Sequence, residues 1–133
     1  MNKILTILVL LLTTSVFAIE DLIGKNYFCD KFLWGFEFIS SNEVKVIRTN
    51  LNNITSFNEY YYEIDNKLNY IKIYLIQKNK KEFIFSLELN TFRVDIWTMT
   101  SGGNTVREII PEGFCKFINV ESTFKYIEDL KNK

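Results

Sequence analysis

The chain has 133 residues, 47% hydrophobic and 16% aromatic, with 16 basic and 16 acidic side chains and no histidine. A formal charge of zero excludes broad electrostatic attraction to nucleic acid or to anionic membrane. The missing imidazole excludes Ser-His and Cys-His nucleophile pairs and any imidazole-bound metal.

The first residues, "MNKILTILVLLLTTSVFA", have the layout of a secretory signal peptide. Lys3 is a basic n-region, Ile4 to Leu12 an apolar core, and Val16-x-Ala18 a small-residue cleavage site. The apolar run is shorter than the about 20 residues a membrane-spanning helix needs. Ile19 stands where a lipoprotein would carry cysteine. Cleavage after Ala18 is expected, leaving residues 19–133 as a single exported domain with no transmembrane segment. The usage of Asn, Lys, Ile, Phe and Tyr follows AT-rich codons, so the expected location is the periplasm or exterior of a bacterium.

From Tyr27 to Ile118 the hydrophobic pattern has period two. "WGFEFIS" places Trp34, Phe36 and Phe38 against Glu37, and "EVKVIR" places Val44 and Val46 against Lys45. "EYYYEID" sets Tyr60, Tyr62 and Ile64 against Tyr61 and Glu63; "YIKIYLIQ" sets Ile71, Ile73 and Leu75 against Lys72 and Tyr74. "EFIFSLEL" and "TFRVDIW" then direct Phe83, Phe85, Leu87, Phe92, Val94 and Ile96 inward. Turn clusters separate the runs: Ser40-Ser41-Asn42, Asp65-Asn66-Lys67, Lys78-Asn79-Lys80, Leu89-Asn90 and Ser101-Gly102-Gly103-Asn104. "IIPEGF" supplies one more turn before "FCKFI". Such short spacings require antiparallel hairpins. The expected fold class is therefore all-β, an antiparallel meander of about eight or nine strands. Closure into a barrel would remove its exposed edges.

Cys29 and Cys115 are the two cysteines of the chain, and in an oxidising compartment they are expected to form a structural disulfide. Closing so long a loop stabilises by about 4–5 kcal/mol on the chain-entropy account. In the tail, Val120, Phe124, Ile127 and Leu130 recur at helical spacing opposite Glu121, Lys125, Glu128 and Asp129. A short helix is expected over roughly 120–131, with Asn119 as N-cap. Trp97 shares an outer face with Arg93 and Asp95. A two-residue Leu89-Asn90 loop would pair Phe85 with Val94 and set Ile84 beside Asp95, making an apolar strip with Ile76. The helix is expected to cover that strip through Phe124, Ile127 and Leu130.

An exported meander opened by "LIGKNYFC", carrying the rhythm "GFEF", "YYYEI" and "FIFSL" and closed by an amphipathic helix, resembles the lipocalin and calycin barrels over most of residues 19–133. "LIGK" stands where those proteins carry a glycine two residues before a tryptophan; here Asn26 occupies the tryptophan position, with Tyr27 beside it. The resemblance implies a closed or nearly closed barrel and a ligand-binding role. It transfers no functional residue.

Neither a P-loop nor a dinucleotide glycine motif is present, so no enzyme, cofactor or metal site is expected. Glu108 and Glu112 read as surface carboxylates. The Tyr60-Tyr61-Tyr62 run lacks basic interleaving, and alternation sends Tyr61 to the opposite face, which argues against a nucleic-acid platform. Two readings stay open for Phe36, Phe38, Tyr60, Tyr62, Phe83, Phe85 and Phe92. They line a cavity for an apolar ligand, or they fill a barrel only just wide enough for its own side chains. Two readings also stay open for "VDIWTMTSGGNTVREII". It is a glycine-permitted hairpin turn, or a rim loop in which Thr100, Ser101, Gly102, Gly103 and Asn104 meet a partner and Arg107 supplies charge. The expected function is a non-enzymatic lipocalin-like binding protein for a small apolar or amphipathic ligand. The alternative is an envelope interaction module, an inhibitor or assembly factor, working through the loop at 98–107.

Overall fold

The computed structural model describes residues 19–50, 53–99 and 102–133. The expected signal segment 1–18, Thr100 and Ser101 lie outside the described residues. Eight strands follow one another: β1 (Asn26–Cys29), β2 (Trp34–Phe38), β3 (Glu43–Thr49), β4 (Ile54–Asp65), β5 (Tyr70–Gln77), β6 (Lys80–Glu88), β7 (Arg93–Met99) and β8 (Thr105–Ile118). Each pairs antiparallel with its sequence neighbour and β8 pairs back onto β1, so the meander is a closed barrel. Closure leaves no sheet edge unpaired. Cys29 stands opposite Cys115 across the β1–β8 seam, and the two are disulfide-bonded. Among the described residues no helix is long and apolar enough to cross a membrane.

Period-two alternation generates this wall. Phe36, Phe38, Val44, Val46, Tyr60, Tyr62, Ile71, Ile73, Phe85, Leu87 and Val94 all project inward and form one buried cluster. Local turn chemistry closes the hairpins. Gln77 pairs with Lys80, so Lys78-Asn79 is a two-residue tip, and both residues take left-handed φ (49° and 63°) as a type I′ turn requires.

One end of the barrel is plugged. A 3-10 turn, Ile19–Asp21, delivers the fully buried Leu22 to the core. Gly24 N–H then donates to the Phe38 carbonyl at 2.8 Å, and Phe38 N–H donates to the Lys25 carbonyl at 3.1 Å. Phe92 lies in the β6–β7 connection rather than in a strand, at φ 55°. Its ring stacks on Tyr27 with centroids 4.4 Å apart. The Tyr62 hydroxyl donates to the Ser40 carbonyl at 2.6 Å, and burial raises the pKa of this phenol.

Helix α1 (Thr123–Lys131) starts at N-cap Ser122, whose side chain accepts from Lys125 N–H, three residues later than the Asn119 cap expected from sequence. The helix does pack on the outside of the barrel, but not over Trp97. It covers Phe28, Ile47 and Ile118, with Leu33 and Ile54 at the margin. Two features of β2 choose that place. Gly35 lets the helix approach so closely that a Cβ there would lie 2.2 Å from Thr123 Cγ2. Glu37 Oε1 accepts from Thr123 N–H at 2.7 Å, satisfying a helix N-terminal donor that Ser122 leaves open.

Other register expectations are corrected too. Phe85 pairs with Ile96 rather than Val94, and Ser86 rather than Ile84 lies beside Asp95. A bulge sets Ile73 opposite Phe85 but Tyr74 opposite Phe83, so Ile84 is the extra residue and packs on the interior cluster. The parity of β6 therefore reverses below the bulge, and Phe83 emerges on the outer face. "IIPEGF" is no turn. It is an irregularity within β8, where Arg93 faces Phe114 and Asp95 faces Ile109.

Candidate functional site

The barrel centre is filled. Phe85 on β6 meets Trp34, Phe36 and Tyr60 with ring centroids 5.5, 6.2 and 5.9 Å away. Because β2 and β6 lie on opposite sides of the ring of strands, the contacts to Trp34 and Phe36 bridge the barrel axis. Phe36 is 0% exposed, Phe38 and Phe85 1%, Tyr62 2% and Tyr60 5%. Among the described residues these five rings keep almost no accessible surface, which leaves no room for a ligand beside them. Of the seven aromatics proposed as a ligand lining, these five come together as packed core. Phe92 joins them at the plugged end, and Phe83 stands outside.

The other end carries the β1–β2, β3–β4, β5–β6 and β7–β8 hairpins, and there the inward side chains are only half buried. Phe32, Phe57, Leu75, Ile84 and Ile96 pack against the core cluster from this mouth while keeping part of their surface in solvent. The Thr49 hydroxyl shares a hydrogen bond between the carbonyls of Phe32 and Leu33 at 3.0 and 3.1 Å. It ties down a loop in which Leu33 holds φ 52°, and so sets the Phe32 ring edge-on to Trp34 at 4.7 Å. Along the β5–β6 hairpin a cavity of about 230 Å³ is lined by Leu75, Gln77, Lys78, Lys80 and Glu82.

Arg48 completes the mouth. Phe36 pairs with Val46, and one further inward step brings Trp34 and Arg48 together. The Arg48 guanidinium lies 4.7 Å from the Trp34 ring centroid and 5.9 Å from that of Phe85. Sequence reasoning passed over this residue. Its signal was present, since Val44, Val46 and Arg48 continue a single alternation in "EVKVIR".

On the outer wall, Asp95 is 0% exposed although it faces away from the core. Arg93 grips it with Nε at 3.1 Å and Nη2 at 3.3 Å. Arg107 adds Nε at 2.8 Å and a further contact through Nη2, which also donates to the Tyr70 hydroxyl. Hydrogen bonding to Asp95 raises the Arg93 pKa. For Arg107 burial opposes the charge, but Asp95 and Tyr70 outweigh it and the pKa is again raised. Trp97 lies in the same layer, stacked on Phe83 at 4.8 Å, with Arg107 over its face and its indole N–H donating to Ser86 Oγ at 2.9 Å. These neighbours on the sheet, rather than the helix, cover the indole. Arg107 is thus a wall residue of β8 engaged with Asp95, not a free loop charge. Gly102, Gly103 and Asn104 form the exposed β7–β8 connection, with Gly103 at φ 81°.

Among the described residues no group of three His, Cys, Asp or Glu side chains is placed to hold a metal ion. Comparison with known proteins finds no matching family model, no matching curated protein and no matching solved structure.

Proposed function

We propose that this is a non-enzymatic, exported binding protein of lipocalin-like shape that takes a small amphipathic molecule at the mouth of the barrel rather than in its centre. One observation carries the reading. Partly buried inward side chains gather at the open end, where Phe32, Phe57, Leu75, Ile84 and Ile96 leave apolar surface in contact with water, against Ile64 and Phe92 at the plugged end. A concave apolar wall with a few polar groups is the usual character of a small-molecule site. The Cys29–Cys115 bond supports an oxidising compartment.

The test uses N-phenyl-1-naphthylamine, an uncharged probe that fluoresces in apolar surroundings. It is expected to bind and to quench Trp34 emission in a Trp97→Phe background. Replacing mouth residues by charge, Leu75→Lys or Ile96→Asp, should abolish the quenching. Saturable binding that survives both substitutions would place the probe elsewhere and defeat the reading.

A second reading draws on a different observation. Ile109 and Phe114 are both about half exposed, and both lie on the outer face of β8, opposite Asp95 and Arg93. An exposed apolar strip of this kind favours contact with an envelope protein. A photo-crosslinking residue at position 109 in the producing cell checks it, and a failure to capture any chain removes it.

A further inference from the structure

We infer that the ligand of the mouth carries an anionic head, a carboxylate or a sulfonate, and that Arg48 is the residue that selects it. The inference rests on the mouth-binding reading above.

Arg48 is exposed to solvent, yet its guanidinium is held over interior rings rather than by an acid. Among the described residues no carboxylate lies within 4.0 Å of it, and its contacts are the faces of Trp34 and Phe85. This differs from Arg93 and Arg107, whose donors are taken up by Asp95. A ring face attracts the cation through its quadrupole and consumes no N–H donor. The planar fork of donors stays available, and that fork matches a carboxylate bidentately. Trp34 is itself fixed, being buried and braced by Phe32 and Phe85. The cation is therefore preorganised at the boundary between filled core and open mouth, where an anionic head would sit with its apolar part against Phe57, Leu75 and Ile96.

Two acids face the same opening. Glu82 pairs with Leu75 and Glu108 with Ile96, so both carboxylates are on the inward side of the rim. They would favour a cation, which makes the choice of head group a decisive measurement.

The experiment titrates the full exported protein with decanoate, decan-1-ol and decyltrimethylammonium below their micellar concentrations, reading Trp34 emission in the Trp97→Phe background. Decanoate is expected to bind at least about tenfold tighter than decan-1-ol, the worth of a charge-assisted hydrogen bond. In Arg48→Met that preference should vanish through a loss of decanoate affinity of at least about tenfold, and Arg48→Lys should restore part of it. An unchanged urea midpoint shows that each variant is folded. Equal binding of acid and alcohol by the parent protein overturns the role of Arg48 and leaves the mouth reading standing. Preference for the ammonium overturns it in favour of Glu82 and Glu108. Failure of all three to bind overturns both.

Discussion

At Gly35 a built Cβ would lie 2.2 Å from Thr123 Cγ2 and 3.4 Å from Ile127 Cδ1. Thr123 Oγ1 is also buried without a hydrogen-bond partner among the described residues, so this contact is tight on both sides. Gly35→Ala is expected to cost about 1–3 kcal/mol, the usual penalty for overpacking. In a Thr123→Ala background, where the clashing methyl is gone, less than half of that cost should remain. Urea denaturation of the four proteins of the cycle measures the coupling, and equal costs in both backgrounds would show that Gly35 does not set the helix contact. Inward placement of Phe36, Phe38, Tyr60, Tyr62 and Phe85 was legible from alternation because each lies in an uninterrupted stretch. Phe83 was not, since the bulge at Ile84 reverses parity, and "EFIFSLEL" contains nothing that marks a bulge.

At the scale of elements, α1 carries the apolar stripe read from its spacing, and Phe124, Ile127 and Leu130 do face the barrel. The spacing could say which residues of the helix are buried. It could not say which strands receive them, because the receiving site depends on a glycine and a carboxylate of β2. Truncation after Val120 would uncover Phe28, Ile47 and Ile118 and is expected to cost on the order of 3 kcal/mol or more. Trp97 emission, read in a Trp34→Phe background, should stay unchanged, since Phe83, Ser86 and Arg107 surround the indole. A red shift of Trp97 on truncation would contradict this placement of the helix.

For the whole molecule the critical joint is the β1–β8 seam. β1 contributes only four residues to its pairing with β8, and the Cys29–Cys115 bond spans 86 residues of sequence. Replacing both cysteines by serine is expected to lower stability by about 4–5 kcal/mol. Amide protection should be lost first in β1 and the paired end of β8, as measured by hydrogen exchange. Protein recovered from outside the cytoplasm should lack residues 1–18 and contain no alkylatable thiol. Intact mass measurement checks both, and a full-length chain with two free thiols would defeat the export reading.

The sequence by itself determined the all-β class, the antiparallel meander, the pairing of the two cysteines and the helical tail. These follow from local causes: side chains alternate with the pleat, short turns permit only hairpins, and a single pair of thiols has one way to bond. Only the tertiary structure decided that the barrel centre is solid, that Trp97 is sheltered by its own sheet, that α1 rests on β2, and that Arg48 stands over Trp34. Each of those depends on register across bulges and on close approach between residues distant in the chain. Neither leaves a periodic trace, because one extra residue in a strand exchanges its inner and outer faces.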